Sequence, residues 1–311
     1  MKNRILIIGA CGQIGTELTL KLREEYGKDN VIASDIKEGP ATLMQSGKFI
    51  ILDATDKESI ANVLLTQKIT QVYMMAAMLS ATAEKIPLKA WHLNMTALLT
   101  ILELGKEGLY KQLFWPSSIG AFGPTSPKED TPQTTVMLPT TVYGISKYSG
   151  EMWCLYYATH YGVDVRTVRY PGIISYKTQP GGGTTDYAVE IYFEALKKGK
   201  YTSYLSENTT LPMMYMDDAI RATYSIMAHP KLETYKAYNI SGANFNPKEM
   251  GDSIKKKMPN FKIDYQPDFR QAIADSWPKS IDDSEAVADW HWQPEFDLER
   301  ITEVMLVHCK N

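Results

Sequence analysis

Residues 4–15 read RILIIGACGQIG, an apolar run that leads into three glycines spaced three apart. The apolar run predicts a buried strand, and Gln13–Tyr26 has the pattern of an amphipathic helix. Gly9 permits a tight turn, Gly12 lets backbone approach a phosphate, and Gly15 allows the helix to pack closely on the strand. Free N–H groups at the helix start then face the phosphates. The stretch therefore predicts a dinucleotide-binding turn.

An acidic residue lies where such a turn needs one. Asp35 ends the second predicted strand, about 20 positions beyond the turn, where a carboxylate accepts hydrogen bonds from the ribose 2′-hydroxyl of NAD. It would repel the 2′-phosphate of NADP, although Lys37 is a nearby cation that could tolerate one. Asp53 is placed to reach the adenine, and Ala76 and Ala77 leave room for the cofactor. The alternatives are a helix cap for Asp35, a turn residue for Asp53 and simple packing for the alanines.

The first half of the chain alternates short apolar runs with longer amphipathic segments, which indicates a parallel sheet covered on both faces. We therefore predict an α/β fold, a doubly wound parallel (Rossmann) sheet with a smaller C-terminal substrate lobe. Residues 1–172 form the NAD-binding domain in this prediction, segments from about 211–245 return to it, and residues 173–311 are mainly the substrate-binding lobe. The strand candidates before residue 172 are Arg4–Ile8, Val31–Ser34, Lys48–Leu52, Gln71–Met75, Lys111–Trp115 and Asp164–Arg169, and the main helix candidates are Gln13–Tyr26, Asp56–Thr66, Pro87–Lys106 and Thr141–Tyr161.

Tyr143 and Lys147 are four residues apart and so lie on one face of a predicted helix, one turn apart. A tyrosine titrates near about 10 in water, and an adjacent ammonium together with a positive nicotinamide favours the phenolate. Tyr143 can then take a proton from a substrate hydroxyl as hydride leaves the same carbon. Ser118 ends the fifth strand segment and is our candidate for orienting the substrate oxygen; its alternative is a turn hydroxyl bonded to its own backbone. A tyrosine and a lysine at this spacing also occur by chance in many helices.

Bulk composition excludes several classes of protein. The 311 residues are 44% hydrophobic with a formal net charge of −3, which does not favour a nucleic-acid surface. The cysteines Cys11, Cys154 and Cys309 are too far apart for metal-ligand spacing and are predicted to be reduced thiols, so we expect no metal and a cytoplasmic location. No segment has the pattern of a signal peptide or a membrane span.

Longer motifs resemble a known family. The glycine turn, Trp115–Ile119, Tyr143–Lys147 and Arg169–Gly172 are similar to the extended short-chain dehydrogenase/reductases. Residues 180–187, 213–218 and 274–283 resemble more particularly the short-chain L-threonine 3-dehydrogenases, and the resemblance runs essentially the full length. It implies oxidation of L-threonine by NAD to 2-amino-3-oxobutanoate, without a metal, by a homodimer associated through helices that flank the sheet.

The resemblance also implies substrate contacts at Ser80, Ser118, Tyr143, Thr184, Thr185 and Trp277. Physical reasoning agrees in part, because a glycine-rich loop that opens a helix offers N–H groups to a carboxylate. Trp277 can close an apolar wall over the substrate methyl group, although a core aromatic is the alternative. For Gly181–Gly183 the alternative is a flexible connector. The predicted cofactor contacts further include Gln13, Ile14, Lys147 and Ile173.

Two other functions remain open at this point. A nucleotide-sugar epimerase or dehydratase of the same family shares the cofactor half and the Tyr143/Lys147 pair, but needs a larger lobe with a basic, aromatic uridine pocket. A non-catalytic nucleotide-sensing protein keeps the glycine turn and loses the pair. Because both Tyr143 and Lys147 are present, the sequence favours catalysis over sensing.

Overall fold

The computed structural model of the protein describes residues 3–177, 182–230 and 232–309. The strands are β1 (Ile5–Ile8), β2 (Val31–Asp35), β3 (Phe49–Ile51), β4 (Gln71–Met74), β5 (Gln112–Phe114), β6 (Ser117–Ser118), β7 (Asp164–Tyr170), β8 (Gly172–Ile174), β9 (Lys200–Ser203), β10 (Leu211–Tyr215), β11 (Ala237–Asn239), β12 (Ala243–Phe245) and β13 (Lys262–Tyr265). The strands predicted from the sequence are found, with bounds that differ by one or two residues.

Helices separate most of these strands. They are α1 (Gln13–Tyr26), α2 (Ala41–Gln45), α3 (Lys57–Thr66), α4 (Ser80–Lys85), α5 (Pro87–Lys106), α6 (Val142–Tyr161), α7 (Tyr187–Lys198), α8 (Met216–Ala228), α9 (Pro247–Lys257), α10 (Arg270–Asp275), α11 (Ser284–Trp290) and α12 (Leu298–His308). Asp56 begins the predicted helix and caps α3, since its carboxylate accepts from the Ser59 amide, and Pro87 occupies the first turn of α5.

The main sheet is parallel and has the order β3-β2-β1-β4-β5-β7-β11, with β6 also paired to β7. Strand order reverses between β1 and β4, because β2 and β3 lie on one side of β1 while β4 and β5 lie on the other. Ligands of such sheets bind at the carboxyl ends of the strands beside this switch point. The predicted doubly wound parallel sheet is confirmed.

Both faces of the sheet are buried. Ile5 and Ile7 of β1 pack with α1 and α8 on one face, whereas Leu6 and Ile8 pack with α3, α5 and α6 on the other. Because successive side chains of a strand point to opposite faces, a strand covered on both sides must be apolar throughout, which explains the unbroken run ILII.

The smaller C-terminal part has its own core and two small sheets, β12-β10-β8 and β13-β9. This qualifies the prediction for residues 211–245: β11 pairs with β7 in the main sheet, but β10 and β12 do not. Pro171 separates β7 from β8 and has no N–H to give to a ladder, so the chain leaves the main sheet there. The division into a cofactor domain and a substrate lobe at residue 172 stays a prediction.

Three further observations concern the described part of the chain. None of its helices combines the length and apolar character of a membrane span. No group of three or more histidine, cysteine or acidic side chains converges there as a metal site would require. Cys11, Cys154 and Cys309 are all free thiols.

Candidate active site

One cleft opens at the carboxyl ends of β1 and β4, beside the switch point of the sheet, and has about 1010 Å³ of empty space including its solvent-facing part. Its walls come from the glycine turn, the segment after β4, the segment Pro116–Ile119, α6, β8 and the segment just before α7. The predicted site residues that line it are Gly9, Gly12, Gln13, Ile14, Gly15, Ala77, Ser80, Ser118, Tyr143, Lys147, Ile173, Thr184, Thr185 and Trp277.

Two of the three glycines in the turn, Gly9 and Gly15, leave no room for a side chain. Gly9 has a φ of +91°, and a Cβ there would lie 2.5 Å from the amide nitrogen of Ala76. A Cβ on Gly15 would lie 2.2 Å from the carbonyl oxygen of Gly9, so only glycine lets α1 start this close to β1. Gln13 Nε2 is buried in this cleft without a hydrogen-bond partner among the described residues. A tight backbone cradle with a spare donor suits the diphosphate and amide groups of a dinucleotide.

Three predicted cofactor residues lie outside the described lining of the cleft. The Asp35 carboxylate accepts from the Cys11 amide at 2.9 Å, so it braces the glycine turn, and also from its own neighbour Ile36. Asp53 accepts from the amide of Thr55 at 2.8 Å, as a turn residue does. Ala76 packs its backbone against Gly9.

Tyr143 lies in the first turn of α6, where Thr141 caps the helix by accepting from the Gly144 amide. The phenol is buried, and burial raises the pKa of Tyr143 while the neighbouring Ser118 hydroxyl lowers it. Ser118 also accepts from the Gly120 amide at 3.1 Å. It is therefore both a turn hydroxyl and part of the cleft wall beside Tyr143.

Lys147 follows one turn later and is also buried. Its ammonium donates to the Pro116 carbonyl at 2.6 Å and lies 4.6 Å from the Trp115 ring centre. Burial lowers the pKa of Lys147 to about 8. The expectation that Lys147 lowers the pKa of Tyr143 is not what the structure shows: the ammonium points toward Pro116, and burial is the largest effect on the tyrosine pKa.

The predicted substrate residues converge from distant segments. The Ser80 hydroxyl lies 3.1 Å from that of Thr184 and also accepts from the Thr184 amide. Trp277 lines the same cleft, and its carbonyl accepts from Lys128 Nζ at 3.1 Å. Thr185 completes this side of the wall.

Asp186 is a cleft residue to which sequence reasoning gave no role, although it directly follows Thr184 and Thr185. Its carboxylate accepts from the amides of Gly182 and Gly183 at 2.9 and 2.7 Å. Burial raises the pKa of Asp186 to about 6, against the effect of these two amides. The expectation that the glycine-rich loop offers its N–H groups to a substrate carboxylate is therefore wrong for these two residues. Pro180 and Gly181, the other end of that loop, lie outside the described residues.

The sequence matches a described family. Residues 5–241 match the profile of the NAD dependent epimerase/dehydratase family, which covers the main sheet and the described cleft lining except Trp277. A protein of Staphylococcus haemolyticus, named as an uncharacterized epimerase/dehydratase, is 52% identical over 308 residues, which are 97% of this chain and 96% of the relative.

Solved structures are similar over the whole length. The holo form of a GalE-like L-threonine dehydrogenase from Cupriavidus necator is 53% identical with a TM-score of 0.95, over 98% of this chain and 99% of that one. A monomeric L-threonine 3-dehydrogenase from a metagenome, in its apo form, is 47% identical with a TM-score of 0.94, over 98% of both chains. The chain therefore belongs to the NAD-dependent epimerase/dehydratase family of the extended short-chain type, and it is an enzyme whose cofactor is NAD.

Proposed function

We propose that this enzyme oxidises the 3-hydroxyl of L-threonine to the ketone of 2-amino-3-oxobutanoate, the oxidative step of a threonine breakdown route. The observation that carries the proposal is the convergence of Ser80, Thr184 and Trp277 on the cleft that holds Tyr143. These hydroxyls and one apolar wall match a small polar substrate with a methyl group. The names of two structural neighbours near 50% identity support the same substrate.

The chain's part in the reaction is proton transfer and positioning. When bound, NAD⁺ supplies the hydride acceptor and a positively charged ring beside the substrate carbon. Tyr143 takes the proton of the substrate hydroxyl as the carbon loses its hydride, and the proton then passes to solvent. Ser118 holds the hydroxyl oxygen toward Tyr143. Lys147 keeps a buried positive charge on the same helix face and holds the nicotinamide ribose.

The cofactor half of the proposal rests on the first lobe, residues 1–172, with α8 and β11 packed onto it. The glycine turn with Gly9, Gly12, Gln13, Ile14 and Gly15 takes the diphosphate, and Ala76, Ala77 and Ile173 border the cofactor. Asp35 takes the adenosine ribose hydroxyls and Asp53 the adenine. Residues from 173 onward supply Thr184, Thr185 and Trp277 to the substrate.

The direct test is NADH formation, followed by absorbance, with L-threonine and NAD⁺ in the presence of a chelator. We expect turnover with threonine and much less with NADP⁺. Turnover of a different 3-hydroxy amino acid, with none of threonine, would refute the substrate assignment.

The curated relative named as an epimerase/dehydratase gives a second candidate, a nucleotide-sugar enzyme. Titration with UDP-sugars, followed by thermal shift, separates the two. Stabilisation by a UDP-sugar together with its conversion would favour the epimerase, whereas we expect neither.

Gly15→Ala should weaken NADH binding strongly. The added Cβ would lie 2.2 Å from the Gly9 carbonyl oxygen, so the start of α1 must move away from the diphosphate. We expect the Kd for NADH, measured by fluorescence titration, to rise at least tenfold. Gly108→Ala is the control for the glycine-to-alanine change because no atom lies within 4 Å of a Cβ there; although its φ of +78° predicts some loss of stability, the Kd should not change. An unchanged Kd in Gly15→Ala would contradict the proposed diphosphate site.

We propose that two copies of this chain associate through α5 and α6. These two helices pack together and expose large apolar side chains, namely Leu88, Trp91, Met152, Trp153 and Tyr156. Large apolar side chains exposed on two neighbouring helices mark an interaction surface. The similar protein from a metagenome is named as monomeric, so the interface has to be tested in this chain.

Light scattering after size-exclusion chromatography should give the mass of a dimer for the wild type and of a monomer for Trp153→Glu. Leu65→Glu places the same charge on exposed apolar surface of α3, outside the patch, and should remain dimeric. A wild-type monomer at micromolar concentration would refute the interface.

A further inference from the structure

Helix α6 presents a third functional side chain one turn beyond Tyr143 and Lys147. Glu151 lies four residues after Lys147, on the same helix face. Its side chain is 1% exposed, and neither the cofactor nor the substrate prediction used it. A carboxylate is not buried to this extent without strong partners, because its desolvation is costly.

Two side chains hold Glu151 in one position. Arg169 of β7 donates to both carboxylate oxygens, at 2.9 and 2.8 Å. The Ser117 hydroxyl donates to Glu151 Oε1 at 2.5 Å. Arg169 itself is fixed by the Gln133 carbonyl and the Asn239 side chain, each at 3.0 Å. These three hydrogen bonds hold the carboxylate in a single position.

The same network reaches the catalytic segment. Lys147 donates to the carbonyl of Pro116, and the next residue, Ser117, donates to Glu151. The segment Pro116–Ser118 is thus tied to α6 at two points one helical turn apart. Ser118, which faces Tyr143, is the last residue of that segment.

We propose that Glu151 is a positioning residue of the active site: through Ser117 it fixes the Pro116–Ser118 segment on α6, and it adds a negative charge to the helix face that carries Lys147. Its catalytic consequence rests on the proposed dehydrogenase function. Without Glu151 the segment has one hydrogen bond to α6 in place of two. The buried cations Lys147 of α6 and Arg169 of β7 also lose the nearby negative charge.

The groups around Lys147 determine how its pKa should change when the Glu151 charge is removed. The Tyr143 ring, the Trp115 ring and the Pro116 carbonyl lie nearest to its ammonium. Glu151 and Cys154 of α6 are the other titratable groups that act on it, and Arg169 of β7 pairs with Glu151. Burial lowers the pKa of Lys147, while the negative charge of Glu151 raises it. Burial also raises the pKa of the Cys154 thiol, so Cys154 stays neutral in this pH range. Removing the Glu151 charge must therefore lower the pKa of Lys147 further, so its positive charge is lost at lower pH.

The experiment compares Glu151→Gln with Glu151→Asp in the full-length enzyme. In Glu151→Gln we expect the alkaline limb of kcat/KM for threonine to move down by about one pH unit, with a lower plateau. Glu151→Asp keeps the charge but shortens the reach, so its plateau falls while the limb stays where the wild type has it. A role confined to folding would lower all rates equally at every pH, and an unshifted limb in Glu151→Gln overturns the proposal.

A second readout does not require threonine to be the substrate. The NADH Kd is measured by fluorescence across the same pH range. In Glu151→Gln, the rise in Kd at alkaline pH should begin at a lower pH than in the wild type, because Lys147 holds the ribose. If the wild type does not oxidise threonine, the proposed function fails, and this titration alone decides the role of Glu151. If Glu151→Gln does not fold, Ser117→Ala decides instead: a severalfold lower kcat with an unmoved limb supports the positioning role, and an unchanged kcat overturns it.

Discussion

Replacing Tyr143 by phenylalanine should lower kcat with threonine by about 10²–10⁴-fold, the range that general acid–base catalysis contributes. The change removes one oxygen atom and keeps the buried ring against Gly120, so the fold and the cleft should persist. The substrate proton then has no acceptor beside the hydride-losing carbon, because Ser118 is a far weaker base than a phenolate. Burial raises the pKa of Tyr143, so the wild-type rate should increase with pH up to the limb set by Lys147.

Steady-state NADH formation and an NADH fluorescence titration measure the two halves of this expectation. The NADH Kd of Tyr143→Phe should stay close to that of the wild type. Tyr265→Phe, in β13 and away from the described cleft lining, is the matched control and should keep its rate. A Tyr143→Phe enzyme with more than a tenth of the wild-type kcat would mean that another group takes the proton.

Local signals were enough for much of the fold. The aspartate that caps α3 and the proline in the first turn of α5 each lie directly at the start of the helix that they begin. The unbroken apolar strands likewise predict a sheet covered on both faces. Such features depend on neighbours in the chain, so a single sequence contains them.

The parts that escaped prediction depend on partners far apart in the chain. Glu151 and Arg169 are 18 residues apart, and nothing near either one says that they share a buried site with Ser117. Sequence reasoning gave Asp186 no role, yet its carboxylate accepts from the Gly182 and Gly183 amides. The chain's move into a second sheet after Pro171 needs β10, about 40 residues later, as its partner.

The shift of the Tyr143 pKa could not be predicted for the same reason, because it depends on residues from distant segments. Spacing on a helix brings Tyr143 and Lys147 to one face, but it does not say where the lysine chain points. Its ammonium is drawn to the Pro116 carbonyl and the Trp115 ring, which are delivered by a different strand. A buried lysine held in this way lowers the stability of the folded state.

Lys147→Met should abolish most activity and yet stabilise the fold at neutral pH. Below pH 8 the wild-type folded state contains a buried ammonium, whose lowered pKa, about 8 against 10.5, corresponds to roughly 3 kcal/mol. Methionine removes that cost but leaves the Pro116 carbonyl without its donor, which destabilises the variant by about 1–2 kcal/mol. At pH 7 we therefore expect the free energy of unfolding of Lys147→Met to exceed that of the wild type by about 1–2 kcal/mol.

The difference in stability between Lys147→Met and the wild type must change sign with pH. Between about pH 8 and 10.5 the unfolded wild type binds the lysine proton and the folded wild type does not, so wild-type stability rises relative to the variant. Above that range only the lost hydrogen bond to Pro116 remains, and Lys147→Met should be the less stable protein. Urea unfolding at pH 7 and pH 10, followed by circular dichroism, measures the crossing. Lys111→Met, at an exposed position, should leave stability nearly unchanged at both pH values. Parallel curves for Lys147→Met and the wild type would show that Lys147 carries no buried charge, and its proposed role beside Tyr143 would fall with it.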